Sequence, residues 1–194
     1  MNAIVDHKTY YRENFVALHY TDKTITECEF ENCTFRDCVF ISCVFSQCNF
    51  VDCSFIGCSI SAAKPLNSSF VSTRFFDSKI MGMNWTKARK VEALSFERCD
   101  IRYSNFSFLH LHNLILIDCV AHEVAFNEAD LTGGIFTRTD FLKSVFSHTN
   151  LTKSDFRNAS HYGIDFNFNT IKKAKFSLPE AASLLKSLDI VLEE

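Results

Sequence analysis

The sequence is poor in everything that bends, breaks or anchors a chain. It has two prolines and five glycines in 194 residues, which excludes collagen-like and linker-rich material. One tryptophan stands beside 21 phenylalanines, so the aromatic rings are nearly all of one shape and imply one recurring slot. No apolar run approaches the ~18 residues that span a bilayer as a helix. The N-terminus, MNAIVDHKTYYRE, lacks the apolar core of a secretory leader, and the cytoplasm is the expected location. CxxC, HExxH, HxxxH, GxSxG and glycine-rich phosphate loops are all missing, and with them the usual zinc, hydrolase and nucleotide signatures. Neither sign of charge dominates: 20 Lys and Arg face 23 Asp and Glu, a net charge of −3. No basic stripe marks a nucleic-acid binder.

What is present is a period. From Cys28 to Ile60 the chain reads CEF ENCTF RDCVF ISCVF SQCNF VDCSF IGCSI. Phe30, Phe35, Phe40, Phe45, Phe50 and Phe55 recur every five residues, and Cys28, Cys33, Cys38, Cys43, Cys48 and Cys53 each precede one by two. Neither the 3.6 period of a helix nor the 2 of a strand fits this spacing. The chain must turn every five residues and return the same slot inward, which describes a stacked array. The position two before each centre is also filled by Ala63, Ser68, Thr73, Ser78, Ser104, Ala129, Gly134, Ser144 and Ser154. A slot shared by these residues selects for small size, so the nine cysteines read as small packing residues rather than as metal ligands, disulfides or redox thiols. No cofactor, metal site or catalytic residue is expected. Histidines 110, 112 and 122 read as surface residues.

The register divides the chain. Residues 1–24 carry no evident repeat and read as an N-terminal cap. The array runs over 25–176, with a bulge or short loop expected at 61–66, where Pro65 falls on a centre. Another irregularity is expected near 86–95, where one extra residue separates Trp85 from Phe96. His161 places a polar residue on a centre. Residues 177–194 read as a helix over 180–188 followed by a short strand or tail. Thirty centres at four per coil give about seven and a half coils, or a shaft of roughly 35 Å at ~4.8 Å per coil.

The motifs Ala129-Asp130-Leu131, Thr139-Asp140-Phe141, Thr149-Asn150-Leu151 and Ser154-Asp155-Phe156 resemble the pentapeptide-repeat family. That resemblance implies an all-β, right-handed quadrilateral parallel β-helix with a short C-terminal helix. The ending SLPEAASLLKSLDIVLEE is similar to the C-terminus of the topoisomerase-protecting members: Qnr quinolone-resistance, microcin-immunity and albicidin-resistance proteins. It implies a homodimer joined through Leu184, Leu185, Leu188, Ile190, Val191 and Leu192. It also implies a non-enzymatic DNA mimic whose partner is DNA gyrase, or topoisomerase IV, under attack by a quinolone, microcin or albicidin. Unlike Qnr proteins, this chain has no stretch long enough for the larger of their two projecting loops. The candidate partner surface comprises the acids Asp100, Asp118, Glu128, Asp130, Asp140 and Asp155 and a basic collar of Lys87, Arg89 and Lys90. The alternative is a structural or effector-type module for another protein partner, with the collar as its contact.

Overall fold

The computed structural model describes residues 3–188 and Ile190. Short parallel strands stack into a four-faced solenoid. The first face orders Thr9–Tyr11, Glu29–Glu31, Asn49–Val51, Ser69–Val71 and Lys90–Glu92; the second runs from Asn14–Val16 to Ile115–Ile117. Partners lie twenty residues apart, as in Phe30 beside Phe50 and Phe35 beside Phe55. Later coils continue the same spacing as single bridges, for example Asp100 to Val120 to Asp140.

The chain turns every five residues because the residue two past a centre adopts a left-handed backbone, from Arg12 and Ala17 through Lys153 and Asn158, with Lys87 in its 3-10 turn the exception. At Gly57 a side chain would also collide, since an added Cβ would lie 2.5 Å from Asp37 Oδ1. Two kinds of corner result. In the first half most corners are open, the Pro65 corner being closed by Ser68 N–H to the Pro65 carbonyl (3.3 Å). From Ile101 onward most close with a hydrogen bond three residues on, as from Ser104 N–H to the Ile101 carbonyl (3.3 Å) and from Ser154 N–H to the Leu151 carbonyl (3.1 Å). With positive φ at the third residue these are type II turns.

Inside, phenyl rings stack coil on coil. Phe35 and Phe55 are 4.5 Å apart, Phe55 and Phe75 5.0 Å, and Phe30 and Phe50 4.8 Å. Phe30, Phe35, Phe40, Phe45, Phe50 and Phe55 are all buried, as are the cysteines that precede them. Each small polar side chain hooks the coil beneath. Cys53 Sγ donates to the Phe30 carbonyl (3.3 Å), Ser68 Oγ to the Phe45 carbonyl (2.8 Å) and Thr149 Oγ1 to the Phe126 carbonyl (2.8 Å). A thiol that donates is protonated, and burial pushes the Cys48 thiol up to about 12. Cys53, Cys58 and Cys119 are driven up by the thiol one coil away and by burial. All nine cysteines are free and buried.

Several sequence expectations are corrected. Residues 1–24 are not a cap: strands begin at Thr9, and Tyr10, Phe15 and Tyr20 are centres paired with Phe30, Phe35 and Phe40. The slots before Tyr10 and Phe15 hold the exposed Lys8 and Glu13, which hid the repeat; no full coil lies beneath to demand a small residue. Capping falls to the segment just before, where Ile4 is buried and its N–H donates to Tyr20 Oη (3.0 Å). No bulge forms at 61–66. Pro65 sits buried on its centre while Lys64 N–H still bonds the Cys43 carbonyl and the Lys64 carbonyl accepts from Phe45 N–H, both at 2.9 Å. The slot before the centre is not restricted to small residues, because Met83, Leu94, Leu114 and Val124 are buried there. His161 turns outward and Tyr162 takes the interior place.

Around Trp85–Lys87, a single 3-10 turn, one extra residue enters and Val91 becomes the centre opposite Phe70. The pairing step there rises to twenty-one, as in Phe75 beside Phe96. A 3-10 helix, Glu180–Leu188, closes the column, with Leu184 packed on the core.

Candidate functional site

A column filled with rings leaves chemistry to its outside. Among the described residues no three of His, Cys, Asp and Glu gather as metal ligands, and no helix is long and apolar enough to cross a membrane. The surfaces that remain are the outer faces, the basic collar and the C-terminal end.

The acids singled out from the sequence do not share a face. Asp100 and Asp140 lie two coils apart on the third face, Asp130 is on the first, and Asp155 continues the second beside Ile135. Asp118 and Glu128 occupy corners, each with a left-handed backbone. Their position before the centre explains four of these residues. Asp100, Asp130, Asp140 and Asp155 each accept a hydrogen bond from the N–H two residues on, at 3.2, 3.0, 3.1 and 3.1 Å. Asn105 and Asn150 do the same, so the carboxylate is there first to hold the turn.

Three of these acids are neutralised by arginine and two more are bonded to histidine. Arg102 pairs with Asp100 at 2.7 Å, Arg157 with Asp155 at 2.6 Å, Arg138 with Asp118 at 2.6 Å and His112 with Asp130 at 2.9 Å. Asp140 is held by His122 at 2.9 Å and by His161 at 2.8 Å. Burial pushes the Asp140 carboxyl up, but bonds from both imidazoles and the Leu142 amide outweigh it and leave the carboxyl below its ordinary range. The Arg157 bond holds Asp155 low against the opposing effect of burial. These are salt-screened surface contacts that remove negative potential from the C-terminal half.

Unneutralised acid lies at the other end. Glu13, Asp22, Glu29, Glu31, Asp37 and Asp52 are exposed, and none makes an ion pair among the described residues. They encircle the first coils. The excess of acids over bases in residues 22–52 was the signal in the sequence. In the collar, Lys87, Arg89 and Lys90 are exposed. Arg89 reaches along the first face to Asn49 Oδ1 (2.8 Å) and Ser69 Oγ (3.0 Å), and Lys90 pairs with Glu92 (2.6 Å).

At the C-terminal end, Leu185, Leu188 and Ile190 are 38, 48 and 50% exposed, and Leu178 is 82% exposed. Val191 and Leu192 lie outside the described residues. Glu180 anchors the helix by accepting from His161 N–H at 2.7 Å.

Two family models match the chain: a pentapeptide repeat region over residues 23–106 and a pentapeptide repeats model, itself described as of 8 copies, over 125–160. No curated protein sequence matches it. Among solved structures, a trypsin-treated variant of QnrB1, described as a plasmid-mediated fluoroquinolone resistance protein, aligns with a TM-score of 0.74 at 18% identity, covering 97% of this chain and 93% of that one. Full-length QnrB1 aligns at 0.64 with 19% identity, over 94% of this chain and 100% of that one. HetL, described as a pentapeptide repeat protein involved in heterocyst differentiation regulation in the cyanobacterium Nostoc, gives 0.54 at 7% identity, over 87% and 85%. At these identities the likeness is one of fold: the right-handed, four-sided β-helix with its short terminal helix. Repeat models over most of its length and a matching solenoid together make this chain a member of the pentapeptide-repeat family.

Proposed function

We propose that this protein is a non-enzymatic protector of a type II topoisomerase, occupying the DNA path of gyrase or topoisomerase IV and relieving a poison of quinolone, microcin or albicidin type. The observation that carries the proposal is the alignment with QnrB1, a fluoroquinolone resistance protein, along 97% of the chain. A narrow rod whose described interior is filled with buried rings supports it, because binding then falls to the outside. The exposed Leu185, Leu188 and Ile190 support pairing of two chains end to end, since a two-fold contact would cover both apolar ends at once. In that arrangement the unneutralised acids of the first coils sit at the two far tips, where duplex DNA would enter. A cytoplasmic location belongs to the same proposal.

The test is gyrase supercoiling in the presence of a fluoroquinolone, microcin or albicidin. Rescue of supercoiling by added protein is expected, with inhibition when the protein alone is in large excess. Absence of both effects at several-fold molar excess ends the proposal. Replacing Leu185 and Leu188 by Glu should yield a monomer by light scattering and weaken rescue.

A second possibility, an interaction module for a different protein, is favoured by the neutralised acids of the C-terminal half. Reversing Lys87, Arg89 and Lys90 should abolish capture of such a partner and leave gyrase protection intact.

A further inference from the structure

The first face is not continuous. Most rungs are stitched to the next by their own amides and carbonyls; the Pro65 and Trp85 rungs of the fourth face keep a single bond, from Asn67 N–H to the Lys87 carbonyl at 3.0 Å. Between Lys90–Glu92 and the rung at 110–112 those stitches are missing: among the described residues, no backbone bond joins Val91 or Ala93 to His110 or His112. The ladder is closed on either side. Trp85 N–H bonds the Asn105 carbonyl at 3.0 Å, and Ile115 N–H bonds the Leu94 carbonyl at 3.3 Å. The opening between is a cleft of about 620 Å³ whose walls include Ser72, Arg74, Lys90, Glu92, His110 and His112.

The residue pattern accounts for the gap. The inserted residue after Trp85 shifts the lower rung. Arg89 stands where neighbouring rungs of this face hold Cys28, Cys48 or Ser68, yet its side chain is drawn outward to Asn49 and Ser69. This rung stays paired with Ser69–Val71 beneath it; across the gap the same slot holds Leu109, which has no hydroxyl or thiol to hook back to the Lys90–Glu92 coil.

Two rungs facing each other across such a gap present N–H donors and C=O acceptors in alternation. A simple oxyanion could use only the donors. An extended peptide carries both kinds of group and could pair with either rung, as in strand addition to a sheet edge. The charge also selects: Lys90 and Glu92 pair with each other and His112 with Asp130, which leaves on the walls Arg74, without an ion pair among the described residues, and His110, which adds positive charge when protonated. We propose that the cleft accepts a short, extended, acidic segment of a partner protein as an additional rung. The strands here are three residues long, so the inserted stretch would be about three residues, or ~10 Å. This inference stands apart from topoisomerase protection, and either can fail without the other.

The probe is a blocked five-residue peptide alternating valine and glutamate, added to the isotope-labelled full chain and followed by amide NMR and hydrogen exchange. Saturable shifts and slowed exchange are expected at Val91, Ala93, His110 and His112. A lysine-for-glutamate peptide should bind about tenfold more weakly. Arg74→Glu combined with Lys90→Glu should weaken the glutamate peptide by a similar factor. Both side chains are exposed, so circular dichroism and the thermal transition should be unchanged in that variant. No shifts at millimolar peptide, shifts confined to other faces, or equal binding of the lysine peptide would overturn the proposal. So would inorganic phosphate that reproduces the shifts and displaces the peptide, since the site would then be one for simple anions.

Discussion

Removing one ring from the middle of the column should do more than lower stability; it should divide the molecule. Phe55 is 1% exposed and lies between Phe35 at 4.5 Å and Phe75 at 5.0 Å, with Phe50 at 5.7 Å beside it. A phenyl of this kind buries on the order of 200 Å², or ~5 kcal/mol at ~25 cal/mol per Å². Measured losses for Phe→Ala run at about 3–5 kcal/mol because a cavity remains. We therefore expect Phe55→Ala to cost about 4 kcal/mol and to lower Tm by roughly 10 °C. Coils touch only their neighbours, so the lost interface should also uncouple the coils on either side and split one unfolding transition into two. Urea denaturation followed by far-UV circular dichroism and by fluorescence of the buried Trp85 would detect both effects. Cys53→Ser is the control. Serine at this slot already makes the bond to the coil beneath at Ser68 and Ser154, each at 2.8 Å, so the change should cost no more than about 1 kcal/mol. A loss below ~1.5 kcal/mol for Phe55→Ala, or an equal loss for Cys53→Ser, would refute the account of the interior.

Three further outcomes follow from the surface and the thiols. Asp155→Asn should preserve stability, because asparagine holds the same turn at Asn105 and Asn150, whereas Asp155→Ala should cost about 1 kcal/mol by chemical denaturation. The hydrogen bond and charge of Asp140 raise the pKa of His161, so its stabilising contribution is complete below the unfolded value of about 6.5 and fades as pH rises through the folded value. Asp140 is shifted the other way, so its share is present above the ordinary carboxylate range and is lost as acid protonates it through its lowered value. Tm should therefore be highest between those limits and decline gently from neutral to mildly alkaline pH, and His161→Gln or high salt should flatten that decline. The nine thiols should be inert to Ellman's reagent in the native protein and should all react once it is unfolded in denaturant.

The interior was legible from sequence because it repeats. Phe30 to Phe55 advertise a slot, and the same rule places Phe126 and Phe156. Legibility failed where the rule met an exception. Tyr10 and Phe15 were hidden by Lys8 and Glu13, charged residues where later coils mostly carry small ones. Val91 was hidden between Lys90 and Glu92 after an insertion, and Tyr162 sits one place beyond its expected position. The surface was far less legible, since its partners come together only after coiling. Asp118 meets Arg138 across twenty residues, and His161 meets Asp140 across twenty-one. Opposite charges at that spacing were the available clue. Without it, acids that hold turns could not be told from acids free to meet a partner, and the cleft beside Lys90 left no trace beyond one extra residue.

A column that turns a corner every five residues also constrains how its length can change. Gain or loss of twenty residues moves everything beyond by one storey and keeps each outward pattern on its own side. A change of five swings the remainder through a quarter revolution, so a partner that reads one side would find its landmarks facing elsewhere. The twenty-one-residue coil around Trp85 shows how a single surplus residue is taken up: the turn Trp85–Lys87 absorbs it and later pairings return to twenty. Descendants of such a chain should therefore differ in whole storeys and keep their misfit residues at corners.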